Sequence, residues 1–561
     1  MTLLAAHPLA GKDELTFLPL GGSNEIGMNL NLYGHAGRWL MVDLGVTFGD
    51  DTTPPGVEVI MPDPRFIEEY RSELAGLVLT HGHEDHIGAV PYLWPRLRCP
   101  IYATPFTATL VRRKLEDAGL AKEAKLIEVP MSGRFSVGPF QIELITVTHS
   151  IPEPNAVVIR TPVGTVLHTG DWKFDADPLV GDSADVSALR ALGDEGVMAM
   201  VCDSTNVFVQ GVAGSEADVR ENLTDLIGRC RNRVGVACFA SNIARLESIA
   251  KAAQAHGRVV ALVGRSLWRI EAAARANGYL ADLPPFVSEA DFTLIPRERA
   301  LMICTGSQGE PRAALTRIAA GAHQSVSLEP DDTVIFSSRV IPGNERRIGN
   351  LQNALVNAGI DVITAGDEHI HVSGHPARDE LAEMYAFIRP QIAVPVHGEP
   401  RHIREHAHFA KLCQVPQAIA PRNGSLIRLA PGPAEIVDDV FADRLALDGS
   451  RLLPLDTILF KDRRRLIETG AVTVTVVLDR KGNLAADLQI STFGLLDEDD
   501  DESEEMLDDA ADRIADAIED LSPGRRREDD DVEEAVRRGV RAVLREAIGK
   551  KPRIAVHIVR L

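Results

Sequence analysis

The chain contains no Cys-x-x-Cys pair, and its six cysteines (Cys99, Cys202, Cys230, Cys238, Cys304 and Cys413) are scattered. That spacing argues against a zinc ribbon or a disulfide framework, which leaves the thiols as reduced core residues. No stretch stays apolar for the roughly 18 residues that a membrane span needs. Met1 to Phe17 lacks a basic segment followed by an apolar one, so no secretory signal is expected and the default location is the cytoplasm. The glycine-rich turn Gly21-Gly22-Ser23-Asn24-Glu25-Ile26-Gly27 runs into the strand-like alternation Asn29 to Tyr33 rather than a helix, which excludes a Rossmann dinucleotide site. Positive charge is in deficit: 59 Lys and Arg stand against 81 Asp and Glu, a net charge of −22. Such a balance counts against a polyanionic partner. The deficit is local, however, because residues 497–534 hold 20 acids and four arginines, a net of −16 that leaves −6 elsewhere. A block of this kind is a solvated helix face or a disordered segment, and a basic groove elsewhere stays compatible with it.

At 561 residues the chain exceeds what one core organises, so two to four domains are expected. Its densest chemistry is His81-Gly82-His83-Glu84-Asp85-His86-Ile87-Gly88. The apolar run Leu74 to Leu79 before it reads as a buried strand and Ile87 onward as a helix start, so the cluster occupies a tight strand-to-helix loop. Neutral imidazole and carboxylate are ligands for zinc and similar divalent ions, and alternate positions can aim His81 and His83 one way and Asp85 and His86 another. Two neighbouring metals fit that geometry. The competing reading, a solvated polar turn, suits three histidines and an acid behind a buried strand poorly.

Other strands bring similar groups to their ends. Leu15 to Leu20 opens the sheet, and Arg38 to Leu44 carries Asp43, which either supports the metal loop from behind or caps a turn. After a strand near Pro100 to Ala103 and a helix from Phe106 to Ala118, alternation from Phe140 delivers His149, and Thr165 to Thr169 delivers Gly170-Asp171. Repeated presentation of a histidine or an acid at strand ends is what a site along one sheet edge requires. Phe48 either stacks on a base or packs.

The order His-x-His-x-Asp-His-x-Gly, then a distant strand-end histidine, then a strand-end Gly-Asp, resembles the metallo-β-lactamase superfamily, whose fold is an αββα sandwich. The resemblance implies that His81, His83 and His149 hold one metal, that Asp85 and His86 hold a second, and that Asp171 bridges both. His397, ending the strand from Ile392, would complete the second site. The chain between Asp171 and His397 is too long for a loop, so a domain must be inserted there, with Val259 to Val263 and Leu301 to Cys304 as buried strands. Cys202-Asp203-Ser204-Thr205-Asn206, His369-Ile370-His371-Val372-Ser373-Gly374-His375 and Val396-His397-Gly398 resemble motifs A, B and C of the β-CASP nucleases. Within that group the chain is similar to the ribonuclease J family. Thr305 to Pro311, Phe239 to Asn242 and Ile341 to Glu345 strengthen the match, while Ala244 and Pro376 depart from the family's pattern of a histidine and a small residue.

The implied fold class is α/β: a metallo-β-lactamase αββα sandwich with an inserted α/β β-CASP domain and a small C-terminal α+β domain. The ranges are 1–205 and 366–450 for the sandwich, 206–365 for the insert and 451–561 for the last domain. There the segments Ala471 to Asp479 and Arg553 to Val559 read as strands and Val532 to Ile548 as an amphipathic helix.

RNA cleavage is in-line attack on a phosphodiester. It needs a hydroxide and charge neutralisation, which two metals can supply, and protonation of the leaving oxygen. That acid role falls to His375, with Asp203 fixing its tautomer and Asp85 in the metal centre beside them. The family resemblance places a nucleotide phosphate against His371, Ser373, Gly374 and His375, with Ser241 and Asn242 approaching from the insert. It implies a 5′ to 3′ exoribonuclease that prefers 5′-monophosphate ends and also cuts endonucleolytically, in RNA processing and decay. The cofactors are two divalent ions, zinc first with manganese or magnesium as alternatives. The partners are single-stranded RNA and further copies of the chain in a homodimer or homotetramer, with no membrane. The competing functions are a small-substrate metallo-hydrolase of the same fold and a DNA-directed β-CASP nuclease.

Overall fold

The structure, a computed structural model, describes residues 10–50, 52–497 and 499–561. Part of the amino-terminal stretch read for a signal therefore lies outside the described residues. Two compact units divide them: 10–50 with 58–447, and 52–57 with the chain from 448 onward.

The first unit is built on two facing sheets. The eight-stranded sheet runs in the spatial order Glu435–Asp439, Ser425–Ala430, Leu15–Gly21, Leu30–His35, Arg38–Val42, Leu74–Val78, Ile101–Ala103 and Leu126–Glu128. The seven-stranded sheet runs Gln417–Ala418, Ile392–Val396, Ala199–Asp203, Gly164–His168, Asn155–Thr161, Phe140–Thr146 and Arg134–Val137. Their inner faces share one core that includes Phe17, Tyr33, Val78, Phe140, Val157, Val201 and Val394. The outer face of the second sheet packs Ala156, Val158, Leu167 and Met200 against Leu189, Leu381, Met384 and Phe409 of three helices, Val186–Glu195, Arg378–Ile388 and Pro400–Leu412. Burial on both faces explains why strands such as Ile392–Val396 read as unbroken apolar runs rather than as alternation. This is the αββα sandwich that the motif order implied.

The strands that matter most point the same way. Gly164–His168, Ala199–Asp203 and Ile392–Val396 are parallel neighbours, and Phe140–Thr146 runs with them because two antiparallel pairings separate it from Gly164–His168. Their carboxyl ends therefore open at one edge. Ala199–Asp203 pairs directly with Ile392–Val396, so everything between them is a single crossover from one strand to its neighbour.

That crossover contains a sheet of its own. Five parallel strands stand in the order Val259–Val263, Ala300–Cys304, Val234–Ala237, Thr333–Phe336 and Asp361–Thr364, with a core that includes Val263, Met302, Val334, Phe292, Leu315 and Leu355. Parallel strands need crossovers of a dozen or more residues, here helices such as Glu216–Arg229, Ile243–Ala255 and Glu345–Asn357.

The second unit holds the three-stranded sheet Gln489–Phe493, Ala471–Leu478 and Arg553–Arg560. Strict alternation along Ala471–Leu478 buries Val472, Val474, Val476 and Leu478 against Ile514, Ile518, Val536, Val540 and Leu544 of the helices Asp501–Glu519 and Asp529–Ile548. The acidic block thus forms solvated helix faces rather than a disordered segment, with residue 498 outside the described residues. The strand Gln489–Phe493 had no sequence expectation, because its five residues carry only two strong apolar side chains.

Candidate metal centre

Six strand ends and one loop assemble the centre. Leu74–Val78 feeds the His81 to His86 loop, whose Glu84–Ile87 is a single helical turn. Gly45 permits this loop to lie where it does, since a Cβ there would stand 1.6 Å from the carbonyl oxygen of Asp85. Asp43 and His397, each at a strand end, hold left-handed backbone with φ of 63° and 52°. Such conformations cost energy outside glycine and persist where the surroundings impose them. The glycine-rich turn helps to impose one of them: Gly22 O accepts from His397 N at 2.6 Å, and Ser23 and Glu25 bridge to Gly398.

Three groups of donors result, two of them overlapping. His81, His83 and His149 form the first, Asp85, His86, Asp171 and His397 the second, and Asp171, Asp203, His375 and His397 the third, the donor atoms within each lying within 4.8 Å of one another. His83 Nδ1 is 3.1 Å from His81 Nε2 and 3.0 Å from His149 Nε2. In the second group His397 Nε2 is 3.1 Å from Asp85 Oδ2, and His86 Nε2 is 3.2 Å from Asp171 Oδ2. That same Asp171 oxygen is 3.9 Å from both His81 Nε2 and His149 Nε2, which places it between the first two groups.

The opposite ring nitrogens settle which atoms face inward. His149 Nδ1 donates to Gly374 O at 2.5 Å. Thr80 Oγ1 donates to Asp43 Oδ2 at 2.9 Å and so accepts from His81 Nδ1, also at 2.9 Å. His86 Nδ1 donates to Asp43 Oδ2 at 2.7 Å, and His397 Nδ1 to Thr205 Oγ1 at 2.8 Å. Asp43 is accordingly a support behind the loop and not a turn cap. Of the first group, His81 and His149 each turn a bare Nε2 lone pair toward His83 Nδ1, which has at most one proton to offer. One of those two contacts must be lone pair against lone pair. A cation among the three resolves the conflict, so this donor set fits a metal.

The electrostatics divide the same way. Burial holds His81 and His149 well below the ordinary imidazole range, helped by the neighbouring histidines, and pushes His83 down to about 4. Burial also opposes charge on His86 and His397, but the carboxylates outweigh it and raise both, Asp171 being the strongest for each. Asp85 and Asp171 are pushed up by burial yet held low by the histidines around them.

His375 Nδ1 lies 2.8 Å from Asp203 Oδ2 and 3.8 Å from Asp171 Oδ2. Asp203 Oδ1 in turn accepts from Thr205 N and Thr205 Oγ1 at 2.8 and 2.7 Å. Burial lowers the His375 pKa, and Asp203 and Asp171 more than reverse that, so its net shift is upward. The direct hydrogen bond makes Asp203 and His375 a coupled carboxylate–imidazole pair beside the first two donor groups.

The expected phosphate residues fall out unequally. Ser373 Oγ accepts from Asn206 Nδ2 at 2.7 Å and from His375 N at 3.2 Å, and Gly374 packs so closely on His149 that a Cβ would stand 2.7 Å from that ring. His371 stands beside them with Nδ1 3.4 Å from Arg245, and burial, then Arg245 and Arg339, keep its imidazole well below the usual range. Ser241 stands in the turn ahead of the helix Ile243–Ala255. Asn242, expected to approach the phosphate, is committed elsewhere: it caps that helix by accepting from Arg245 N at 2.8 Å, and its amide donates to Glu216 at 3.2 Å. Ala244 lies in the first turn of the same helix and Pro376 is buried behind the motif. Phe48 is 63% exposed, so it packs into no core of this chain.

Sequence reasoning missed the scaffold under this segment. Arg245, fully buried, grips Glu216 with two hydrogen bonds of 3.1 and 2.9 Å and donates to Ser337 O and Ile370 O. Glu216 N and Ser215 Oγ both donate to Asp175, which pairs with buried Lys173 at 2.8 Å. No motif announces such a network, since its directly bonded partners lie up to 125 residues apart. Asn206 is the exception, as it ends the quoted Asp203 to Asn206 run.

Comparison with known proteins gives a consistent picture. Four family models match: the metallo-beta-lactamase superfamily over residues 29–211, the ribonuclease J beta-CASP domain over 231–355, the Zn-dependent metallo-hydrolase RNA specificity domain over 359–412, and the ribonuclease J C-terminal domain over 458–561. Ribonuclease J of Sinorhizobium meliloti is 44% identical over 561 residues, 99% of each chain. Ribonuclease J of Mycolicibacterium smegmatis is 38% identical over 100% of this chain and 99% of that one. A solved protein of unknown function from Enterococcus faecalis, 17% identical with a TM-score of 0.51, matches 74% of this chain and 100% of its own, a likeness of fold.

Proposed function

The chain belongs to the ribonuclease J family, and on that premise we propose that it is a 5′ to 3′ exoribonuclease for single-stranded RNA with a 5′-monophosphate, with additional endonuclease activity. The observation that carries this reading is the bond from His149 Nδ1 to Gly374 O. It joins the segment suited to a phosphate directly to the first donor group, so a terminal phosphate held at Ser373 and Gly374 sits a short, fixed reach from the reacting bond. Such spacing measures out one nucleotide at a time.

Two divalent ions at the seven donors, with zinc favoured by five imidazoles and two carboxylates, supply an activated water and Lewis acidity toward the phosphate. The remaining work belongs to the chain. Asp203 keeps a proton on His375 Nδ1, and His375 Nε2 donates to the leaving oxygen. Ser373, the Gly374 backbone N–H and neutral His371 hold the terminal phosphate by hydrogen bonds. Phe48, exposed on its short strand, stacks on a base. The domain limits follow the sequence reading, 1–205 and 366–450 for the catalytic sandwich, 206–365 for the insert and 451–561 for a module that supports a cytoplasmic homodimer or homotetramer.

The test is incubation of metal-reconstituted protein with end-labelled RNA bearing a 5′-monophosphate or a 5′-triphosphate, with a matching DNA strand in parallel. Monophosphate-dependent release of mononucleotides is expected. Equal cutting of DNA, or no cutting of any strand, defeats the proposal.

A further inference from the structure

The positive charges around the Ser373 to His375 segment are unequally balanced. Arg245 is neutralised by Glu216 and Lys173 by Asp175. Arg339, on the loop that follows the strand Thr333–Phe336, is exposed, and among the described residues no carboxylate forms an ion pair with it. One guanidinium nitrogen donates to Asn206 Oδ1 at 2.7 Å. The same Asn206 donates through its amide to Ser373 Oγ at 2.7 Å and to His375 O at 3.0 Å. Arg339 is thus one side-chain amide away from both the phosphate-facing hydroxyl and the backbone of the proposed proton donor.

Its loop is held in place. Gln308 Nε2 donates to Arg339 O at 2.8 Å, and Gln308 Oε1 accepts from Ile341 N at 2.9 Å. The charge also reaches the pocket, since Arg339 is among the causes, after burial and Arg245, that keep His371 neutral.

We infer that Arg339 reads the 5′-terminal phosphate: its free N–H groups pair with the phosphate seated against Ser373 and Gly374, while its bond to Asn206 keeps that contact in register with His375. The other donors there, a hydroxyl, a backbone N–H and a neutral imidazole, bring no net charge. A terminal phosphate monoester carries roughly −1.5 to −2, against about −1 for a phosphodiester, so a site with one unpaired guanidinium favours the terminus. The planar fork of arginine suits phosphate oxygens in pairs, which lysine cannot match. This inference rests on the nuclease reading above and adds the residue that recognises the end.

Wild type, Arg339→Gln and Arg339→Lys are compared on one 3′-labelled single-stranded RNA carrying either a 5′-monophosphate or a 5′-hydroxyl, by steady-state cleavage and by binding titrations across salt concentrations. Arg339→Gln is expected to raise KM for the monophosphate RNA about tenfold, the loss of one charge-assisted contact, with a far smaller effect on the hydroxyl RNA. Its salt slope for the monophosphate RNA should fall by about one. Arg339→Lys should recover part of the affinity. Equal KM increases on both RNAs, or no increase on either, overturn the inference while wild-type cleavage leaves the nuclease reading standing. A wild type that neither binds nor cleaves either RNA overturns both.

Discussion

His375 Nδ1 and Asp203 Oδ2 meet at 2.8 Å although 172 residues separate them in the chain. The separation is the inserted crossover, and Asn206, three residues beyond Asp203, holds the returning segment through Ser373 Oγ and His375 O. Asp203→Asn keeps the shape and the Thr205 contacts but no longer enforces a proton on Nδ1. It should lower kcat by at least about a hundredfold, the ordinary share of a positioned acid, with metal content unchanged. Single-turnover cleavage and metal analysis of the same preparation check this, and an undiminished kcat would take Asp203 out of the reaction.

His86→Ala removes a donor that sits 3.2 Å from Asp171. The protein should fold, lose bound metal and release no mononucleotides. Asp43→Ala acts from behind, since Asp43 accepts from both His86 and Thr80. Metal affinity should fall by about 10- to 100-fold, the usual cost of losing such a support, measured by chelator competition.

Asn242→Ala separates capping from substrate contact. Loss of the helix cap should cost about 1 kcal/mol of stability by urea unfolding, with KM for RNA unchanged. Ser373→Ala should show the reverse, a raised KM and an ordinary unfolding midpoint. A raised KM in Asn242→Ala at full stability would restore it to the phosphate pocket.

Arg245→Met leaves Glu216 buried without its partner. A destabilisation of about 3–5 kcal/mol is expected. Replacing both residues by apolar ones of similar volume should recover most of it, and a double-mutant cycle by urea unfolding measures the coupling.

Phe48→Ala should leave stability within about 0.5 kcal/mol, as expected of an exposed side chain away from any core. The loss should appear in RNA affinity instead, about 1–3 kcal/mol if a base stacks there. Unchanged affinity would make Phe48 an idle surface residue.

The His81 to His86 loop was legible because the histidine and aspartate spacing, the buried strand before it and the helical turn it ends in all lie within fifteen contiguous residues. The same holds for the strands around His149, Asp171 and His397, and for the helix over Val532 to Ile548, whose periodicity is a local property of the chain. The cap at Asn242 was not legible because an asparagine before a helix reads alike as a cap or as a ligand, and its bonds to Arg245 N and Glu216 appear only in the fold. Gln489–Phe493 escaped notice because a short edge strand is defined by its neighbour more than by its own residues.

By itself, then, the sequence determined which histidines and carboxylates cluster in the His81 to His86 loop and that His149, Asp171 and His397 each follow a strand, since residue type and hydrophobic period are written in consecutive positions. Tertiary structure decided their partnerships: His149 with Gly374, His375 with Asp203, Arg339 with Asn206, each across 133 to 225 residues. Those contacts arise from strand pairing and domain insertion, which bring together segments whose spacing along the chain holds no trace of their proximity.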